Sequence, residues 1–216
     1  MRSIAFVTQK GGSGKSTLAS SVAVAAHEQG ERVCLVDLDP QATLVQWAKM
    51  RDAFDIPVIA STQAKLPALL QALNKRGFTL AILDTPGAEG AASLAAIQAA
   101  DLCILPTRPS TFDLWASANT RSTLAAHGGE YVFLLNQCPP APSSQHAEEG
   151  VLALEDLGGL FSPLVRSRSD YQEAGRRGLG VTEVDPQGAA AAEMRALWTS
   201  LQRRLAKITG ATRRAA

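Results

Sequence analysis

Gln9-Lys10-Gly11-Gly12-Ser13-Gly14-Lys15-Ser16-Thr17 is the stretch that decides the fold of this 216-residue chain. It follows a short apolar run, Ile4-Ala5-Phe6-Val7, and opens a long segment rich in Ala, Leu and Val. A glycine-rich turn between a strand and a helix is a phosphate cradle. Glycines let backbone N–H groups converge on an anion, and the helix N-terminus adds its partial positive charge. In such a cradle Lys15 reaches the β- and γ-phosphates, and the Ser16 hydroxyl offers Mg²⁺ the oxygen ligand that a hard cation takes. Gly11, Gly12, Ser13, Gly14 and Thr17 supply the rest of the loop.

The usual phosphate-loop signature has a glycine five residues before the Gly of Gly-Lys-Ser/Thr. Here that place is Gln9, and an extra lysine, Lys10, precedes the double glycine. Lys-Gly-Gly-x-Gly-Lys-Ser/Thr is the deviant Walker A box, and through it the chain resembles the ParA/MinD family of ATPases. The lack of an N-terminal helix-turn-helix extension resembles the short, ParF-like ParA type. The resemblance implies that Lys10 crosses a dimer interface to the phosphates of the partner's nucleotide. ATP then joins two copies, and Lys10, Lys15 and Asp39 form the catalytic set.

Working outward, short apolar runs alternate with Ala-rich amphipathic segments. The pattern predicts strands near 3–8, 32–37, 57–60, 79–84, 101–106, 131–136 and 160–165. It predicts helices near 16–29, 42–53, 63–76, 90–99, 112–126, 145–157 and 188–207. Such alternation reads as an α/β fold: a three-layer, doubly wound, mostly parallel sheet of the P-loop NTPase type. Runs such as Leu80-Ala81-Ile82-Leu83 and Leu102-Cys103-Ile104-Leu105 are apolar throughout, as strands covered on both faces are. Residues 1–208 are expected to form one ATPase domain and 209–216 a frayed tail. Pro139–Ser144 reads as a stiff loop after the sixth strand.

In sheets of this kind the ligand lies at the carboxyl ends of the strands. The second strand ends there in Asp37-Leu38-Asp39-Pro40-Gln41. Two aspartates one residue apart at a strand end suit a metal or an oriented water. The family resemblance assigns Asp39 to the attacking water and Asp37 to the Mg²⁺ shell. The fourth strand ends in Asp84-Thr85-Pro86-Gly87, a Walker B pattern whose carboxylate holds Mg²⁺ through water. Many relatives have two prolines here, so Gly87 is a departure. With Gly90 nearby, the loop is expected to be mobile and to sense the γ-phosphate. Asn136 follows the sixth strand, where an amide can both donate to and accept from an adenine edge. The expected metal set is Ser16 and Asp84, to which the resemblance adds Asp37.

After the fifth strand comes Pro106-Thr107-Arg108-Pro109-Ser110, and Arg108 reads equally as a surface or an interface residue. Residues 1–162 hold 11 Lys/Arg against 15 Asp/Glu, whereas 163–216 hold 10 against 5. That basic end suggests an anion-binding face. Arg166, Arg168, Arg176 and Arg177 cluster in it, and the resemblance implies non-specific DNA binding there, with Arg168 alternatively pairing a carboxylate within the fold. Three cysteines without a Cys-x-x-Cys pair argue against zinc or an iron–sulfur centre. No 18-residue apolar run is present, and because the sequence enters a strand at once no signal peptide is expected. The last helix has Leu197, Trp198, Leu201, Leu205 and Ile208 on one face, which reads as packing on its own sheet in preference to a membrane.

The function these expectations compose is a cytoplasmic, nucleoid-associated ATPase with ATP and Mg²⁺ as cofactors. It is expected to form a homodimer on ATP, to bind DNA non-specifically and to position a plasmid, chromosome or other cargo. A small centromere- or cargo-binding partner would stimulate hydrolysis. The alternative is a MinD-like membrane-associated positioning ATPase.

Overall fold

The structure is a computed structural model. It describes the chain apart from Gly128, Pro142, Ser143, Gly158 and Ala216, and apart from the side chains of Asn119, Thr209 and residues 211–215. Two residues of the anticipated proline-rich loop therefore lie outside the described residues.

Among the described residues seven strands form one sheet: β1 (Arg2–Phe6), β2 (Val33–Asp37), β3 (Val58–Ala60), β4 (Leu80–Asp84), β5 (Leu102–Thr107), β6 (Tyr131–Leu135) and β7 (Leu160–Phe161). The order is β3-β2-β4-β1-β5-β6-β7, and every pairing is parallel. β1, which delivers the glycine loop, is central, between β4 and β5. Parallel neighbours need crossovers, and the helices α1 (Lys15–Glu28), α2 (Thr43–Met50), α3 (Leu66–Lys75), α4 (Ala91–Ala99), α5 (Thr111–Ala126) and α6 (Gln145–Asp156) provide them. β7 is shorter than expected, because Pro163 carries no N–H for the ladder.

Side chains alternate across the sheet even where the sequence is apolar throughout. Ile4, Phe6, Leu80 and Ile82 face α1, α2 and the terminal helix α9 (Ala189–Ala215). Ala5, Val7, Ala81 and Leu83 face α3 to α6. This period of two, repeated over both faces, makes the three layers. Leu197, Trp198, Leu201 and Leu205 of α9 are fully buried, so the apolar face of that helix is consumed by the core. Among the described residues no helix is long and apolar enough to cross a membrane. Cys34, Cys103 and Cys138 are free and fully buried, and burial pushes their thiols up to about 12, 12 and 11.

Two helices were not anticipated, α7 (Ser169–Arg177) and α8 (Val181–Val184). The last helix, expected to stop near 207, continues through the segment read as a tail. α7 ends at Gly178, whose φ of 67° is the left-handed conformation of a helix C-cap. A Cβ there would also sit 2.5 Å from the Arg51 backbone nitrogen, so the chain needs glycine at this crossing. Arg51, at the end of α2, is the hub of that crossing. Its guanidinium takes Asp55 at 2.7 and 2.8 Å, Glu183 at 2.8 and 3.0 Å, and the Gly178 carbonyl at 3.2 Å. It also lies over the Trp47 ring, whose Nε1 donates to the Leu179 carbonyl. These contacts tie α2 to α7 and α8.

Candidate phosphate-binding site

The loop 9–14 leaves β1 and turns into α1 at Gly14, which has φ 92°. Only glycine adopts that conformation without strain. Two amides from the end of β6 brace the loop from behind: Asn136 Nδ2 donates to the Ser13 carbonyl at 2.8 Å, and Gln137 Nε2 to the Gly12 carbonyl at 3.0 Å. With those carbonyls held back, the first N–H groups of α1 are left for an anion, the usual state of a helix N-terminus. Asn136, read from sequence as an adenine contact, thus has one of its two amide N–H donors on the loop itself.

Lys15 is buried at the start of α1. Burial lowers its pKa, against the opposing pull of Asp84 and Asp39. Ser16 Oγ donates to Asp84 Oδ2 at 2.5 Å. Asp84 is completely buried, and its Oδ1 has no hydrogen-bond partner. Burial, opposed by the Ser16 hydrogen bond and reinforced by Asp37 and Asp39, pushes its carboxyl up to about 7. An orphaned carboxylate oxygen beside a hydroxyl is an oxygen donor set for a hard divalent cation whose remaining ligands are phosphate and water. Ser16 and Asp84 therefore fit Mg²⁺ carried by a nucleotide. Among the described residues no cluster of three or more His, Cys, Asp or Glu side chains forms a metal cage of its own.

Asp37 pairs in register with Asp84 across β2 and β4. Its oxygens accept from the backbone N–H groups of Asp39 at 3.1 Å, Leu44 at 3.0 Å and Val45 at 3.2 Å. The last two are first-turn donors of α2, so Asp37 caps that helix and fixes the turn that carries Asp39. Burial raises its pKa in spite of those three bonds. Asp39 is half-buried and accepts from the Gln41 N–H at 2.9 Å.

Lys10 points away from the cradle. Its Nζ donates to Asp113 Oδ2 on α5 at 2.7 Å, and Arg108 Nε donates to Asp113 Oδ1 at 3.0 Å. Ser110, the N-cap of α5, also donates to Asp113. Burial opposes ionisation of Asp113, yet bonds from Lys10, Ser110 and Arg108 outweigh it and hold the carboxyl below its usual range. Asp113 was missed in the sequence. Its signal was a serine N-cap followed three residues later by an acid, just ahead of an apolar helix.

The four arginines read as one cluster divide. Arg166 donates to the Pro139 and Ala141 carbonyls at 2.9 and 2.8 Å, and Arg168 pairs with Glu193 at 2.5 Å. Both line a cleft of about 240 Å³ that also touches Gly14, Thr17, Gln137 and Tyr171, next to the loop. Arg176 and Arg177 lie instead on the last turn of α7, exposed, with Glu173 at 2.7 and 3.8 Å. Only this second pair faces open solvent.

Residues 4–209 match the family described as "CobQ/CobB/MinD/ParA nucleotide binding domain". The chain is 35% identical over 200 residues to "Maintenance of carboxysome distribution protein A" of Gloeobacter kilaueensis, covering 89% of each chain. It is 29% identical over 153 residues to the "Chromosome-partitioning ATPase Soj" of Thermus thermophilus, covering 57% of this chain and 61% of the relative. Its fold is similar to the septum site-determining protein MinD complexed with Mg-ADP from Pyrococcus horikoshii. There the TM-score is 0.71 at 18% identity, with 91% of this chain and 94% of that chain covered.

Proposed function

The chain belongs to the CobQ/CobB/MinD/ParA nucleotide-binding family, and from that premise we propose that it is a Mg²⁺-dependent ATPase of the ParA type, which dimerises on ATP and positions a cargo along DNA. The observation that carries this reading is the pairing of the Lys10–Thr17 loop with a buried, half-satisfied Asp84 on the neighbouring strand. That arrangement suits a metal-bound triphosphate, and phosphoryl transfer asks little more of a protein than positioning and charge neutralisation.

In this reading the backbone N–H groups of Gly11 to Ser16 hold the phosphates, and Lys15 neutralises the charge that develops on them. Ser16 and Asp84 hold Mg²⁺, which supplies further charge neutralisation when bound. Asp39, steadied by the turn that Asp37 caps, orients the attacking water. Lys10 leaves Asp113 for the nucleotide of a second copy. The exposed Arg176 and Arg177 are the DNA-facing pair, by phosphate neutralisation that weakens with salt, while Arg166 and Arg168 support the nucleotide cleft. Residues 1–208 act as one functional domain in the cytoplasm, on the nucleoid. A small partner that is itself bound to cargo or centromere stimulates hydrolysis. The relative named for carboxysome distribution and the one named for chromosome partitioning support a positioning role. The buried apolar face of α9 favours this reading over a membrane-bound one.

The test is sedimentation with ATP or ADP, with and without duplex DNA. The wild type is expected to dimerise and to hold DNA in ATP only. Lys10→Ala is expected to bind ATP yet remain a single copy. A wild type that stays monomeric in ATP, or that holds DNA equally in both nucleotides, refutes the proposal.

A further inference from the structure

Gln9 has no part in the phosphate cradle, yet it stands where an ordinary phosphate loop has glycine. Its Nε2 donates to Glu89 Oε1, and Thr123 Oγ1 on α5 donates to the same oxygen at 3.2 Å. Glu89 belongs to the loop between β4 and α4, which begins with Asp84 at the metal site. One side chain thus joins the entry to the phosphate loop, the loop after Asp84 and helix α5.

Two further observations concern the same loop. At Gly87 the backbone lies against the phosphate loop: a Cβ there would be 3.0 Å from Gly11 Cα and 3.1 Å from Gly11 N. Behind Glu89 is an apolar cleft of about 280 Å³, bounded by Val7, Ala88, Gly90, Leu94, Ile97 and Thr120. The loop after Asp84 therefore touches the cradle on one side and has room to move on the other.

We propose that Gln9, Glu89 and Thr123 form a latch that holds this loop in its diphosphate or nucleotide-free position, and that a triphosphate opens it. The inference rests on the reading of the cradle as an ATP site. A triphosphate brings more negative charge than a diphosphate to the loop against which Gly87 packs. The Glu89 carboxylate is tethered to the entry of that same loop, so like-charge repulsion bears on the latch when the γ-phosphate arrives. The loop shifts, Glu89 leaves Gln9, and the release of Thr123 passes the change to α5, the helix that carries Asp113. Gln9, Glu89 and Thr123 are positioning residues, since they act through the loop. A bond that exists only in the closed state is charged against ATP affinity and leaves ADP affinity alone.

The experiment measures equilibrium binding of ADP and of a slowly hydrolysed ATP analogue to wild type, Glu89→Ala and Thr123→Val, with amide hydrogen exchange of residues 87–93 in each state. The scale is that of one or two exposed hydrogen bonds. Glu89→Ala is expected to tighten the triphosphate about 3- to 10-fold while leaving ADP within about twofold, and Thr123→Val to do the same more weakly. Exchange in 87–93 is expected to be slow in wild type with ADP and fast with the triphosphate. In Glu89→Ala it is expected to be fast in both. An unchanged ratio of the two affinities overturns the latch, and so does a loss of triphosphate affinity, which would assign the contact to the open state. A wild type that binds neither nucleotide overturns the ATP-site reading and the latch with it.

Discussion

Arg51→Met is the substitution that probes the fold hardest outside the cradle. Methionine keeps much of the side-chain length and the contact with Trp47, but removes five hydrogen bonds and a charge. Breaking a buried ion pair from one side costs about 3–5 kcal/mol when the stranded partner is fully buried. Here the Arg51 side chain is 3% exposed, but Asp55 and Glu183 are 25% and 28% exposed. Water therefore relieves part of the stranding, and Glu183 keeps its bond from the Gly180 N–H at 2.7 Å. The expected loss is about 2–4 kcal/mol. In urea, with a slope of about 2–3 kcal/mol per molar, the midpoint should fall by about 1 M without a change of slope. Arg51→Lys keeps the charge and loses the fork, so it should fall about halfway between. Arg51 hydrogen bonds, opposed by burial, hold the Asp55 carboxyl below its usual value. The stability this brings is present above the unfolded carboxylate range and lost as pH falls through the depressed value. Wild type should therefore weaken on acidification below about pH 4 more steeply than Arg51→Met. A loss under about 1 kcal/mol, or identical acid limbs for the two proteins, refutes the hub as an energetic centre.

Two predictions concern the cradle. With Asp84 pushed from 3.8 to about 7, the folded chain holds a proton that the unfolded chain gives up. Without metal or nucleotide, stability should therefore fall as pH rises from about 4 to about 7, by up to roughly 4 kcal/mol, and Asp84→Asn should flatten that limb in thermal unfolding at a series of pH values. Gly14→Ala places a Cβ 2.5 Å from Asn136 Nδ2 at a φ of 92°, so it should cost about 1–3 kcal/mol in thermal unfolding and abolish nucleotide binding by titration calorimetry.

The parts legible in the sequence were those with a strong local pattern. Seven apolar runs gave seven strands, and the glycine loop, Asp37-Leu38-Asp39 and Asp84 each fell at a strand end on the side where the sheet opens. α7 was missed because it has no apolar stripe: of Ser169 to Arg177 only Ala174 is buried. Its marks were electrostatic, with Asp170 in the first turn, Arg176 and Arg177 in the last, and Gly178 beyond. Of Arg51's partners only Asp55, four residues on, is local; Glu183 is 132 residues away in the chain, and that pairing exists only after folding. Lys10 shows the limit from the other side. The box identified the residue, but a one-chain fold turns its amine to Asp113, a partner 103 residues away that the sequence marks only as part of a helix cap.

The burial of Cys34, Cys103 and Cys138 bears on how the two-copy reading can be examined. A thiol raised to between about 11 and 12 is nucleophilic in only about one molecule in 10⁴ to 10⁵ at neutral pH, and the sheet screens it besides. Maleimide and disulfide reagents therefore meet a silent background. A cysteine introduced at an exposed position such as Arg177 becomes the single labelling point of each protomer, with the natural sulfurs left in place. Spin or fluorophore separations between copies then report association directly, and the wild-type core need not be disturbed to obtain them.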